Sequence, residues 1–257
     1  MPTRAQARTT HLAQKTIAKF LNAAEEVFGQ HGYEGTTIRA IAKAARGNLG
    51  TLQHYWGSKK VLFRDLFERR FRPLAQEHLR RLEELETRLA DGARPEVADV
   101  LRTLIEPTFF IGPTAIAGYG PDTEGQAGRK RFHALYGRAL MDASPEVIAQ
   151  LTRIFGESVD RFLALMRRAC PELSDAELDW RVNCIIGAQV FSQVYAERVG
   201  SFFGSEADVE DALAADWVIN FLLNGIRSPP FEREQKSQRS AARRSNERAP
   251  RVRSGST

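Results

Sequence analysis

Apolar residues recur at steps of three and four along most of this chain, and this spacing constrains the fold more than any other feature of the sequence. The first stripe runs from Leu12 through Ile17, Phe20 and Ala24 to Phe28, which places these side chains on one face of a helix. Alternating apolar and polar residues, which would indicate strands, are scarce. The sequence therefore predicts an all-α fold.

Four helices are predicted near the N-terminus. The first ends at "HGYEG", where Gly32 suits a left-handed C-cap. We expect Thr36 and Thr37 to cap the second helix, Asn48 to cap the third and Ser58 to cap the fourth. The second and third helices are short and are joined by a tight turn, so they predict a helix-turn-helix whose second helix has the size that a major groove admits.

Longer helical patterns fill the rest of the chain. The predicted helices cover 74–90, 96–111, 129–142, 146–169, 175–199 and 209–226. The Gly- and Pro-rich stretch 112–128 predicts a loop, and the tail from 228 has too little apolar content to fold. The predicted domains are a flexible basic arm (1–11), a helix-turn-helix domain (12–58), a larger helical domain for effector binding and dimerisation (59–227, connected through helix 59–72) and a disordered basic tail (228–257).

Charge is segregated along the chain. Residues 1–72 carry 13 Lys and Arg against 5 Asp and Glu, and residues 227–257 carry 9 against 3. The segment between them carries 15 against 24. This pattern indicates that the two ends meet a polyanion while the centre has another role.

The stretch "GNLGTLQHYWGSKK" crowds polar and aromatic residues onto the third predicted helix and places two lysines just after it. One of Leu52 and Tyr55 is expected to face the core while the rest of the helix faces outward. Gly50 permits close backbone approach to DNA, and the polar side chains can pair with base edges or phosphates. The helix that follows Ser58 presents amides and a dipole that favour phosphate.

The span from Ile17 to Phe67, above all "TTIRAIAKAARGNLGTLQHYWGSKKVLF", resembles the DNA-binding domain of the TetR family of bacterial transcriptional repressors. The resemblance implies a sequence-specific regulator that is released from a pseudo-palindromic operator by a small apolar or amphipathic effector. With Arg46 and the capping residue Asn48 added, the predicted DNA-binding residues are Thr37, Arg46, Asn48, Gly50, Thr51, Gln53, His54, Tyr55 and Lys59.

The motif departs from the family pattern in three places. Arg46 and Gly47 occupy a turn where Gly followed by an aliphatic residue is usual, so the turn geometry is expected to shift. Gln53 stands where Tyr is usual, and Gln can pair with adenine through two hydrogen bonds. Trp56 replaces the more common Phe and is expected in the core.

The centre of the chain, from "FHALYGRALMDASPEVIAQ" onward, is similar to the C-terminal domain of a TetR subgroup that contains fatty-acid-responsive regulators. The resemblance implies a homodimer formed through helices 146–169 and 175–199. Aromatic residues of this region can line an effector pocket or form an ordinary core. The candidate pocket residues are Phe109, Phe110, Phe132, Tyr136 and Phe191.

Other classes of protein find less support in the sequence. No GK[ST], HExxH or GxSxG motif is present, so no catalytic residue, metal site or cofactor is predicted. Cys170 and Cys184 are expected to be reduced, buried thiols. Without an apolar span or signal peptide, a cytoplasmic protein with no membrane partner is expected. Two alternatives stay open: a helical effector- or partner-binding protein that has lost specific operator reading, and an enzyme that uses a central cavity.

Overall fold

The computed structural model describes residues 4–89, 93–110, 115–116, 120–121, 125–194 and 209–230. Its helices are α1 (Arg4–Gly35), α2 (Ile38–Ala44), α3 (Leu49–Trp56), α4 (Lys59–Arg88), α5 (Val97–Phe110), α6 (Gly125–Met141), α7 (Pro145–Ala169), α8 (Asp175–Val194) and α9 (Asp211–Ile226). Two strands, β1 (Ala115–Ile116) and β2 (Gly120–Pro121), pair antiparallel between α5 and α6. The predicted all-α fold is confirmed, with this small addition.

The structure corrects several predicted boundaries. Helix α1 begins at Arg4, so most of the predicted flexible arm 1–11 is helical. The predicted loop 112–128 contains β1 and β2 and gives way to α6 at Gly125. Residues 195–199 of the predicted 175–199 helix, and the predicted disordered tail from 231 onward, lie outside the described residues. No helix in the described ranges is long and apolar enough to cross a membrane.

Local backbone chemistry explains how the first helices end and begin. Gly32, which the sequence predicted as a left-handed C-cap, has a positive φ of 70° and interrupts α1, which runs on to Gly35. The hydroxyl of Thr36 donates to the Gly32 carbonyl at 2.6 Å, and the Thr37 hydroxyl accepts from the Ala40 amide at 3.1 Å to cap α2. Gly57, with a φ of 66°, ends α3.

The buried apolar residues form two clusters. The first joins α1, α2, α3, the beginning of α4 and parts of α6, α7 and α8, and the second joins the end of α4 with α5, α7, α8 and α9. We call α1–α3 with the start of α4 the head, and α5–α9 with the end of α4 the body. The predicted boundary at residues 58 and 59 falls at the N-cap of α4, but α4 runs on to Arg88 as one continuous helix.

A fully buried ion pair ties α1 to the middle of α4. Arg70 Nε lies 2.8 Å from Glu25 Oε1, and both side chains are completely shielded from solvent. The next residue, Arg69, donates to Asn22 Oδ1 at 2.5 Å. Burying two charges is tolerated only when each compensates the other, so the pair fixes how α1 and α4 pack.

We expect Arg70→Met to destabilise the fold by about 3–5 kcal/mol, because it leaves the Glu25 carboxylate buried without its partner. Adding Glu25→Leu to that variant should recover most of the loss. Urea unfolding measures both effects. The matched control is Arg64→Met on the same helix, since Arg64 is exposed and lies 3.5 Å from Asp65; it should cost no more than about 1 kcal/mol. Equal losses at Arg70 and Arg64 would contradict this account.

Candidate nucleic-acid interface

Helix α3 is held on the head by two side chains one turn apart. Leu52 is completely buried and Trp56 nearly so. The Trp56 indole donates from Nε1 to Asp65 Oδ2 at 3.1 Å, and its ring meets Phe20 edge-on with ring centres 6.0 Å apart. Leu52 is therefore the inward member of the Leu52 and Tyr55 pair, and the core position expected for Trp56 is confirmed.

The opposite face of α3 is open to solvent. Gly50, Gln53, His54 and Tyr55 are exposed, and Thr51 is half-buried. Asn48 caps the helix by accepting from the Gly50 amide at 2.7 Å. The structure thus brings these predicted contact residues together on one surface at the tip of the head.

The surroundings of α3 favour a polyanion. Residues 35–64 contain six Lys and Arg and no Asp or Glu. Arg39 and Lys43 on α2, and Lys60 at the start of α4, are exposed. Exposed basic side chains can bind phosphates. Phosphate contacts fix the position of a protein on DNA, whereas contacts with base edges read its sequence.

Lys59 has a second role that the sequence did not predict. Its ammonium donates to the Tyr33 carbonyl at 2.9 Å and lies 4.1 Å from the centre of the Tyr33 ring. The side chain therefore also holds the start of α4 against the end of α1. The aromatic residue in "HGYEG" was the available signal. An ammonium has three donors, so the predicted phosphate contact of Lys59 stays compatible with this bond.

The turn between α2 and α3 contains one residue with a positive φ. Arg46, and not Gly47, occupies the left-handed region, with a φ of 45°. Its side chain is exposed, and its carbonyl accepts from Lys19 Nζ at 3.2 Å. Gly47 is needed for another reason, since a Cβ there would lie 2.6 Å from the Phe20 ring.

The five predicted pocket residues lie in different surroundings. Phe132 and Tyr136 stack in the first cluster with ring centres 5.6 Å apart, whereas Phe109 is buried in the second. Phe110 and Phe191 are exposed. Helical periodicity placed all five on helices but could not tell which cluster, or which face, each would join.

A cleft of about 260 Å³ opens between the head and the body. It lies among the end of α1, the start of α4 and the start of α7, and Tyr33, Phe63 and Glu146 contribute to its walls. Burial, and then the negative charge of Glu146, raise the pKa of the Tyr33 phenol. The cleft marks the junction of the two units.

The cysteine prediction is half wrong. Cys170 is buried, and burial raises the pKa of its thiol. Cys184 is exposed, because it lies on the outer face of α8. Among the described residues, no group of three or more His, Cys, Asp and Glu side chains is placed to hold a metal ion.

Two family models match the chain. The model described as bacterial regulatory proteins, tetR family, matches residues 20–66, and the model described as tetracyclin repressor-like, C-terminal domain, matches residues 122–225. One falls on the head and the other on the body, and together they cover more than half of the sequence. The chain belongs to the TetR family.

Individual relatives match over short stretches of the chain. The HTH-type transcriptional regulator UidR of Escherichia coli (strain K12) is 40% identical over 50 residues, which are 20% of this chain and 26% of UidR. The HTH-type transcriptional repressor AcnR of Corynebacterium efficiens is 38% identical over 45 residues, 18% of this chain and 24% of AcnR. The match thus spans about a quarter of the length of these relatives.

The crystal structure of HlyIIR, a hemolysin II transcriptional regulator, is similar over most of its length. The TM-score is 0.51 at 19% identity, and the match covers 82% of this chain and 98% of HlyIIR. At this identity the likeness establishes the fold, an N-terminal helix-turn-helix unit followed by a larger helical unit.

We expect Arg46→Gly to stabilise the head by about 1 kcal/mol, because glycine adopts the left-handed conformation without the steric cost that Arg46 bears. The matched control is Arg39→Gly, at an exposed position inside α2, which should destabilise by about 1 kcal/mol. Thermal unfolding of the two variants should therefore shift in opposite directions. A loss of stability in both would show that Arg46 is not strained.

Proposed function

We propose that this protein is a sequence-specific DNA-binding transcriptional regulator, and that it acts as a repressor released by a small apolar or amphipathic effector. The observation that carries the proposal is the surface of α3, where Gln53, His54 and Tyr55 face solvent while Leu52 and Trp56 lock the helix to the head. A rigid short helix with polar side chains on its open face is what major-groove reading requires.

In the proposed complex, α3 lies in the major groove and its neighbours contact the flanking phosphates. The Thr37 hydroxyl accepts one bond from α2 and keeps its proton for a phosphate oxygen. Ser58 caps α4 by accepting from the Val61 amide at 3.3 Å. The first amides of α4 and the Lys59 ammonium then favour a phosphate beside the C-terminal end of α3.

We propose that the protein forms a homodimer through α8 and α9. On α8, Trp180 is 73% exposed and is followed at helical spacing by exposed Cys184 and Phe191. On α9, Trp217 and Phe221 are 57% and 72% exposed. Large aromatic side chains on adjacent helices are typical of an interface and costly to leave in water. Because these aromatic residues are exposed, we propose α8 and α9 as the interface in place of the predicted pair, α7 and α8.

Contacts between α1 and α6 support a route by which a structural change in the body can reach the head. The Tyr33 amide donates to Asp142 Oδ2 at 2.9 Å, and the other carboxylate oxygen of Asp142 accepts from the Ser144 amide at 3.0 Å. Arg138 lies so close to Gly32 that a Cβ there would be 2.7 Å from its guanidinium. A ligand that shifts α6 would therefore move the head, with a coupling free energy of typically about 1–3 kcal/mol.

Selection of bound fragments from sheared genomic DNA at about 150 mM salt tests the function, because non-specific binding is weak under these conditions. We expect an inverted repeat whose half-sites lie about one helical turn, roughly 34 to 36 Å, apart. Recovery of fragments without a shared motif would refute operator reading and favour the partner-binding alternative.

Gln53→Ala should relax the preference at particular positions of each half-site, by about 1–3 kcal/mol per lost base contact, while leaving non-specific affinity unchanged. Gln30→Ala is the matched control, since Gln30 is exposed on α1 away from α3. Competition binding with single-base operator variants measures both. A uniform loss of affinity at all positions would place Gln53 at the phosphates instead.

Phe221→Glu should convert the dimer to a monomer, because it buries a carboxylate at the centre of the proposed α8 and α9 interface. Val159→Glu, at an exposed apolar position of α7, tests the interface that the sequence predicted and should leave the dimer intact. Sedimentation equilibrium distinguishes the two outcomes. Dissociation by Val159→Glu alone would restore α7 as the interface.

A further inference from the structure

The cleft between the head and the body lies outside the interior of the body. Its walls come from the end of α1, the first turns of α4 and the first turns of α7. Phe132 and Tyr136, which are buried in the first cluster, are not part of these walls. We call this space the junction cleft. It is therefore a different place from the apolar centre of the helical body.

The floor of the junction cleft is aromatic and closely packed. The rings of Tyr33 and Phe63 meet edge to face with their centres 4.6 Å apart, and both residues are at most 6% exposed. The Lys59 ammonium lies 4.1 Å from the centre of the Tyr33 ring. Pro145 and Ala149 on α7 are exposed and add apolar surface at the rim. A ligand in the cleft therefore meets a small apolar surface rather than an open aromatic face.

Two side chains of opposite charge line the junction cleft. Lys60 is exposed at the start of α4, and Glu146 is half-buried at the start of α7. Across the ranges that the structure describes, neither side chain forms an ion pair with the other or with a third residue. The amide oxygen of Gln150, another wall residue, already accepts from Arg153 at 2.8 Å. The cleft thus offers one cation and one anion that the described chain leaves unpaired.

Tyr33 adds a hydrogen-bonding group beside Glu146. Its backbone amide and carbonyl are bonded to Asp142 and Lys59, but its hydroxyl has no hydrogen-bond partner among the described residues. Burial, and then the negative charges of Glu146 and Glu34, raise the pKa of the phenol. The hydroxyl therefore stays protonated at pH 7 and can donate to a ligand or accept from it.

A molecule that carries both charges matches these walls. An anion would be attracted by Lys60 and repelled by Glu146, and a cation would meet the reverse. The volume of about 260 Å³ lies below the range of about 300–1,000 Å³ that drug-sized ligands occupy, so the occupant is small. We propose that the junction cleft binds an α-amino acid with a short apolar side chain, whose carboxylate pairs with Lys60 and whose ammonium is held by Glu146 and the Tyr33 hydroxyl.

The test uses the full chain and L-leucine in isothermal titration calorimetry at pH 7. We expect saturable binding with a Kd of about 1 mM or tighter, which suits a ligand of about nine non-hydrogen atoms. Two analogues each lack one charge of leucine: 4-methylpentanoate has no ammonium, and 3-methylbutylamine has no carboxylate. Each should bind at least about tenfold more weakly, because it leaves one charge of the cleft unpaired.

Variants of the walls locate the binding. Glu146→Gln and Lys60→Gln should each weaken leucine binding about tenfold, and Tyr33→Phe about threefold. Asp160→Asn is the matched control for Glu146→Gln, since Asp160 is exposed on the same helix, is not part of the cleft and loses the same charge. It should bind leucine as the unaltered protein does.

The analogues also separate a binding role of Glu146 from a structural one. In Glu146→Gln, leucine should lose its advantage over 4-methylpentanoate, because its ammonium no longer meets a carboxylate. A merely structural role would weaken both ligands equally. If thermal unfolding shows that Glu146→Gln is unfolded at the temperature of the titration, Lys60→Gln decides, since the Lys60 side chain is exposed.

Three results would overturn the proposal: no saturable binding of leucine at about 10 mM, equal affinity for either analogue, or unchanged affinity in a folded Glu146→Gln or Lys60→Gln variant. The proposal does not depend on DNA binding. An inverted repeat in the fragment selection together with absent leucine binding would refute the amino-acid site alone, and leucine binding without a shared DNA motif would refute operator reading alone.

Discussion

Helix α4 is shared by both units, and the rest of the structure depends on this sharing. Its first turns bury Leu62, Phe63 and Leu66 in the first cluster, and its last turns bury Leu82 and Leu85 in the second. A helix bends sharply only where a backbone hydrogen bond is missing, and Pro73 removes one in the middle of α4. The end that meets the head and the end that meets the body are joined through this point, and the buried Glu25 and Arg70 pair fixes α1 to the helix just before it.

The head is attached to the body in two places, through α4 and through α6. The attachment through α4 is deeply buried and costly to change, because it carries an ion pair that loses its compensation if the helices separate. The attachment through α6 is mainly apolar, since Phe132, Leu135 and Tyr136 belong to the first cluster together with residues of α1, and the bond from the Tyr33 amide to Asp142 adds to it. A close-packed contact of this kind transmits a shift of α6 to α1. We infer that a change in head orientation pivots on α4 and is driven through α6.

The sequence was sufficient to predict the all-α fold, the helix-turn-helix and the caps at Thr37, Asn48 and Ser58, because these depend on local spacing and on side chains that bond to their own neighbours. It was insufficient for features that depend on distant contacts. The bond from Lys59 to Tyr33 joins residues 26 positions apart, and the division of Phe109 from Phe132 depends on how α5 and α6 pack. Cys184 is exposed although its residue type is usually buried, because its face of α8 has no described neighbour on this chain that covers it.

His78 shows the same limit from another side. The steps from Leu74 through His78 to Leu82 place it on the apolar stripe of α4, so the spacing indicates that it is buried. Only the tertiary packing shows that it lies between the two clusters. Two apolar clusters that meet across polar groups adhere less firmly than one continuous core, because the polar groups contribute less to burial.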